Sequence, residues 1–486
     1  METPKAKEDN LAERQNNLRQ SNDVRMSPDV GMPASPHLAS RRHFSRDSKF
    51  PLHIAGTFGV RLFMIANSVF AGIITARWLG VEGLGQLAVI NVSVSTVVQL
   101  ASLGLPSANT YFLAQDRRRF RTAATNSFVF ALIIGTLLGV GLSGLASLKP
   151  SWFAFVSVDL IRVAAISIPF QLLTLIALNM FLAIGNVRDF NLLDVAGQSF
   201  VLINALVVLV ILRSGLATLV TLNTITSIVV AAVVTILVVV AGRKVADASW
   251  RSDVSFFLRT VSYGVKFHIS ILAGALIFRA DLLVVNHFRG SAEAGVYSVA
   301  SQVGIMLMLL PGVIATLLFP RVTAEQDTRG ETTCQVTRYT AFVMFVWCLA
   351  AVPLSFLLPF LYGPAFAEAI VQLWILLPGV YLIGLESVLV QHFNAMGLPR
   401  SIPLFWLATL GMNIGFVFAL VPRFGARGAA VASTISYAMI FALVTLRFLL
   451  TSRQSLSATF FLRGVEFRRL VDFRNALRPL ARGVQG

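Results

Sequence analysis

Apolar and polar positions divide the chain into a polar stretch to residue 49, a long region where apolar runs alternate with short polar turns, and a basic tail from residue 452. Crossing about 30 Å of hydrocarbon takes roughly 20 apolar residues in a helix, and twelve runs meet that length. The pattern predicts spans over 53–76, 84–106, 123–147, 162–184, 191–212, 216–241, 263–286, 294–320, 338–361, 369–396, 401–422 and 428–451. Pro169, Pro311, Pro353 and Pro378 fall inside spans, where each removes a helix hydrogen bond and serves as a hinge or a passive bend.

The same region contains a repeat. GVEGLGQLAV from Gly80 aligns without a gap with GSAEAGVYSV from Gly290, an offset of 210 residues, pairing Gly80 with Gly290, Gly85 with Gly295 and Val89 with Val299. Each copy joins the first and second spans of a set of six. The expected fold is therefore an all-α polytopic membrane protein with about 12 transmembrane helices in two pseudo-symmetric six-helix bundles, both inserted in the same sense. Its parts would be a disordered tail over 1–50, a first lobe over 51–241, a basic linker over 242–262, a second lobe over 263–451 and a basic amphipathic tail over 452–486.

Composition agrees, with 56% hydrophobic and 13% charged residues. The formal charge of +17 matters through its placement. Arg117, Arg118, Arg119, Arg121, Arg188, Arg243, Lys244, Arg251, Arg259, Arg321, Arg329, Arg338 and Arg400 fall, with both tails, on one side of the alternation. Only Arg77, Lys149, Arg213, Arg289, Arg423 and Arg427 fall on the other. The excess of Lys and Arg on the inner side predicts two cytoplasmic termini. The first stretch has no apolar core of a signal peptide near Met1, so it is expected to stay uncleaved in the cytoplasm. Its nine Lys and Arg suit anionic lipid, a partner or simple solvation. Phe467, Leu470, Val471 and Leu477 recur at helical spacing among arginines, the pattern of a helix lying on the inner leaflet or of a docking site.

Charged groups inside the spans are the candidates for function, because a central arginine costs about 2.5–3.5 kcal/mol to insert and usually faces a cavity or a partner. On the seventh span His268, Ala275, Arg279 and Asn286 make one stripe, since residues 7 or 11 apart lie within roughly 20° of each other on a helix. The first span repeats the idea with Arg61, Ser68, Gly72 and Thr75. Two such stripes would make a positive cavity suited to a diphosphate, although Arg61 also stands near enough to the interface to snorkel. Asp281 lies two residues from Arg279, the wrong spacing for a close pair on one helix. The tenth span carries Glu386 with Gln372 and Gly379 on its face; a carboxylate kept from water either carries a proton or is hydrogen-bonded structurally. Cys334 and Cys348 offer neither a disulfide framework nor a metal cluster. The chain lacks a phosphate loop, metal-ligand spacing and paired aqueous carboxylates, so no cofactor, no metal, no catalysis and no nucleic-acid partner are expected.

At the level of ordered motifs the chain resembles the Wzx-type polysaccharide or oligosaccharide flippases, in the superfamily that also holds the MATE drug antiporters and the lipid II flippases. The resemblance runs from Phe50 to Thr451. It rests on ARWLGVEGLGQLAV, SLGLPSANTYFLAQ, RADLLVVNHFRGSAEAGVYSVASQ, LFPRVTAEQ, LYGPAFAEA, LLPGVYLIGLESVLVQHFNAMGLPR and PRFGARGAAVASTISY in that order. It implies two bundles around a cationic cavity that moves a polyprenyl-diphosphate-linked oligosaccharide to the outer leaflet for exopolysaccharide, capsule or O-antigen synthesis. By position Arg61 and Arg279 match the expected cations, and Asp281 matches the acid of the RxD element. The resemblance further implies a bacterial inner-membrane, multi-pass location, with membrane lipids and the polymerase and export machinery as partners. A lipid II-type flippase is the nearest alternative. A cation-coupled antiporter fits less well, because the first span carries Arg61 and no acid.

Overall fold

The structure is a computed structural model that describes residues 50–245, 250–325, 327–397 and 399–462. The expectations for the two tails beyond these limits lie outside the described residues. Contacts divide the chain after Ile54: of the first unit only 50–54 are described, as the start of a helix, and everything below concerns the unit from Ala55 onward.

The helices are α1 (Phe50–Ser102), α2 (Leu105–Gln115), α3 (Phe120–Leu148), α4 (Val158–Ala165), α5 (Ile168–Ala183), α6 (Val187–Ala205), α7 (Leu216–Arg243) and α8 (Val254–Arg289). They continue with α9 (Ser291–Leu307), α10 (Leu309–Glu325), α11 (Glu331–Ser355), α12 (Leu358–Tyr362), α13 (Glu368–Ala395), α14 (Ser401–Ser452) and α15 (Leu456–Phe460). Among the described residues ten helices are long and apolar enough to cross a membrane, and two of these are double. The 52 residues of α14 would reach about 78 Å as one rod, more than twice a hydrocarbon core. Gly425 breaks it with φ 60° and ψ −140°, and Gly80 breaks α1 with φ 68° and ψ −172°. Counting each double helix as two gives the expected twelve crossings.

Helices α2 to α7 pack chiefly on one another, and α8 to α14 do the same. The 210-residue repeat is visible in the backbone. Gly290 turns α8 into α9 with φ 92° and ψ 168°, close to Gly80, and at such positive φ a side chain would be strained. One turn further on, the paired glycines of the repeat meet each other. A Cβ on Gly85 would lie 1.7 Å from the Ser291 carbonyl oxygen, and one on Gly295 would lie 2.0 Å from that of Val81. Ser291 and Val81 are themselves 210 residues apart, so the contact is reciprocal, as across a two-fold axis. Small residues let helix backbones meet in this way inside a membrane.

Several boundaries differ from expectation. The linker is shorter than 242–262, because Asp253 accepts a hydrogen bond from the Phe256 amide (2.9 Å) and starts α8 there. The second span runs past 106, breaking at Leu103 and Gly104 and resuming as α2. Pro169 and Pro311 sit in the first turns of α5 and α10, just after breaks, where a missing N–H costs little, whereas Pro353 and Pro378 lie within helices.

The loops gather at two ends. At one end Arg121 donates to the Gly242 carbonyl (2.7 Å), and Gln454 donates to that of Arg329 (3.1 Å). At the other end Asn286 donates to Ala154 (2.7 Å), Arg77 to Phe360 and Leu361, and the Ala426 amide to Glu293 (2.7 Å). These are the two sets that the alternation of charged loops separates.

Candidate functional site

Three cavities lie along the inner surfaces of the spans, and Arg279 lines all of them. The first, about 260 Å³, has Ser68, Gly72 and Thr75 of α1 on one side and Arg279, Asp281 and Gln302 on the other. There Gln302 donates to Ser68 (3.2 Å) across the two halves. The second is about 540 Å³ and is bounded mainly by the first half, with Asn91, Gln99, Gln171, Asp194, Gln198 and Asn223 on its wall. The third, about 400 Å³, lies between Gln99, Ala275, Ile305 and Met308.

Arg279 makes no hydrogen bond or ion pair among the described residues. A guanidinium keeps its charge throughout the working pH range and presents five N–H donors in a fixed fork. Left unpaired beside cavities in an apolar bundle, such a group has its donors free to meet an anion. Arg61 is placed differently. It pairs with Asp194 (3.3 Å), and it is Asp194 that lines the second cavity. At the offset of 210, Arg61 corresponds to Ile271 and Arg279 to Val69, so the two cations are not repeat-equivalent.

Asp281 lines the first cavity but its carboxylate is occupied. Tyr297 of α9 and Ser433 of α14 (2.8 Å) donate to one oxygen, and the Leu282 amide (2.8 Å) donates to the other. This knot joins α8, α9 and α14 and makes no ion pair with Arg279. The remaining candidates are dispersed. His268 is buried with Nε2 unpartnered, and Asn286 is buried at the end of α8 against Ala154 with Oδ1 unpartnered. Glu386 is buried with Oε1 unpartnered and lines none of the three cavities. Gln372, also buried, lines a separate cavity of about 580 Å³ at the Gly290 end, together with Arg289, Glu293, Glu368, Arg423 and Arg427.

The wall of amides in the second cavity is not among the polar stripes that the sequence marks on the first and seventh spans. Its signal was there: Asn91, Ser95 and Gln99 recur every four residues on one face of an otherwise apolar span.

The family model described as "Polysaccharide biosynthesis protein" matches residues 74–375. The "Probable flippase AglR" of Haloferax volcanii is 27% identical over 166 residues, which cover 32% of this chain and 34% of that protein. The "Putative O-antigen transporter" of Shigella flexneri is 21% identical over 193 residues, covering 37% and 44%. The chain thus spans between a third and a half of the length of the curated relatives it matches. Among solved structures, the lipid II flippase MurJ in an inward closed conformation superposes with a TM-score of 0.68 at 13% identity, covering 83% of this chain and 89% of that one. An inward-facing multidrug resistance MATE family transporter of the MOP superfamily gives 0.67 at 16% identity, covering 81% and 96%. The fold is therefore the one these transporters share.

Proposed function

This chain belongs to the polysaccharide biosynthesis protein family, and from that premise we propose that it is a flippase that moves a polyprenyl-diphosphate-linked oligosaccharide between membrane leaflets during polysaccharide synthesis. The observation that carries the reading is the unpaired Arg279 at the junction of three cavities. A saccharide headgroup crosses hydrocarbon very slowly unaided, because each hydroxyl would lose its water. A polar cavity between two helix bundles replaces that water for the sugars while the lipid tail stays in the bilayer. The diphosphate is the part of the substrate that needs a cation, and Arg279 can hold it bidentately. On this reading the protein is a transporter and not an enzyme. The shared fold also hosts drug transport and lipid II flipping, so the family match is what favours a saccharide cargo.

The test is reconstitution in vesicles with a polyprenyl-diphosphate monosaccharide in the membrane. Protein-dependent exposure of the sugar to an impermeant lectin or oxidant in the opposite leaflet is expected. Equal exposure in vesicles with and without protein would remove the reading.

The charge distribution supports cytoplasmic termini, the resemblance to Wzx-type flippases implies a bacterial inner-membrane location, and polymerase and export machinery would act on the delivered product. Leu148 (81% exposed) and Lys244 stand at opposite ends, while Cys334 and Cys348 are buried. Leu148→Cys should react with an impermeant maleimide in intact cells, and Lys244→Cys only after permeabilisation. The opposite pattern would invert the topology.

A further inference from the structure

The wall of the second cavity is polar at places where the fold does not demand it. Asn91, Ser95 and Gln99 bring one face of α1 to it, and Gln171 of α5, Gln198 of α6 and Asn223 of α7 complete it from three other helices. Asp194 is the one acid on this wall, and Arg61 pairs with it. The side-chain amides of Asn91, Gln99 and Gln198 have no hydrogen-bond partner among the described residues. Each amide offers two donors and an acceptor, and all three amides are open to the cavity and so to whatever fills it.

The repeat supplies an internal comparison. At the offset of 210, Asn91, Ser95 and Gln99 become Ser301, Ile305 and Leu309. Ser301 and Ile305 border the first cavity, and Ile305 the third, but on the side that faces Leu376, Val380 and Tyr437, inside the second half, only about 10 Å³ is left. The interior of the second half is thus closed with largely apolar side chains at this helix position, whereas the interior of the first half is hollow and lined with amides. Arg279 stands at the rim of the hollow side.

We infer that this wall is a saccharide subsite, taking uncharged, hydroxyl- and N-acetyl-bearing sugars of a lipid-linked substrate whose diphosphate rests on Arg279. The inference rests on the flippase reading and deepens it. Amides match sugar hydroxyls as both donor and acceptor. Among the described residues the wall's one acid is already engaged, and beyond Arg279 at the rim no cation lines the cavity to meet a carboxylate on an acidic sugar. A site built from such groups rejects a ligand that leaves them unpaired.

Binding to the purified protein in nanodiscs tests this, with two probes: a bare polyprenyl diphosphate, and the same lipid carrying one N-acetylhexosamine. The native chain should prefer the sugar-bearing lipid by about tenfold or more, the equivalent of one to two good hydrogen bonds. Asn91→Leu/Gln99→Leu/Gln198→Leu should lose that preference and still bind the bare lipid as the native chain does. Arg279→Ala should weaken both lipids alike. A triple variant that keeps the preference, or a native chain that has none, overturns the subsite and leaves the flippase reading standing. A native chain that binds neither lipid overturns both. If the triple variant no longer binds the bare lipid, Gln198→Leu alone decides, since its exposed amide holds no bond that folding would lose: a reduced preference supports the subsite, and an unchanged one overturns it.

Discussion

Arg279→Ala is expected to lower saccharide transport by on the order of a hundredfold, the loss that follows when a charge-assisted, bidentate contact worth about 3 kcal/mol is removed. The size of the effect follows from the surroundings of the side chain. Arg279 lines three cavities and holds no partner among the described residues, so its charge is committed to nothing else in the protein. Arg279→Lys should keep part of the activity, because an ammonium supplies the charge but not the planar fork. Arg61→Ala is the instructive contrast. Its guanidinium is already matched by Asp194 and its side chain is 41% exposed, so its removal should matter less. Vesicle transport of a labelled lipid-linked monosaccharide by the three variants gives the measurement. Native rates in Arg279→Ala would end the role of this residue as the diphosphate anchor.

The second large effect is expected from a single methyl group. Gly295→Ala places a Cβ 2.0 Å from the Val81 carbonyl oxygen, a backbone atom that cannot swing aside. The two helices must separate, and overpacking of this kind typically costs 1–3 kcal/mol. That energy is charged only to the conformation in which α1 and α9 touch, so the population moves toward one in which they are apart. Ser298 lies one turn below and lines the first cavity, with its hydroxyl on the Gly295 carbonyl (2.7 Å). A Ser298→Cys reporter should be slow toward an impermeant maleimide added at the face of the Gly80 and Gly290 turns. Adding Gly295→Ala should raise its rate by roughly tenfold. An unchanged rate would show that the glycine crossing does not close that end. Gly85→Ala, its mirror in the repeat, should behave the same way.

The spans were legible because an apolar run of some twenty residues has few other uses, and the glycine turns were legible because the chain states them twice. The site was less so, for a geometrical reason. A stripe along a helix fixes direction but not depth. His268 and Asn286 share a stripe with Arg279 yet lie 18 residues apart, about 27 Å along the axis, nearly the thickness of the hydrocarbon. Gln372 and Glu386 share a face and end about 21 Å apart, one in the cavity at the Gly290 end and the other inside the second half. The partner of Arg61 is 133 residues away and the amide wall draws on four helices, so neither had a local signature.

Arg279 stands on α8, and the amides stand on α1, α5, α6 and α7, so charge and shape are carried by separate parts of the chain. On the proposed reading, exchanging residues of the first half alone would change which saccharide is preferred and leave the hold on the diphosphate as it is.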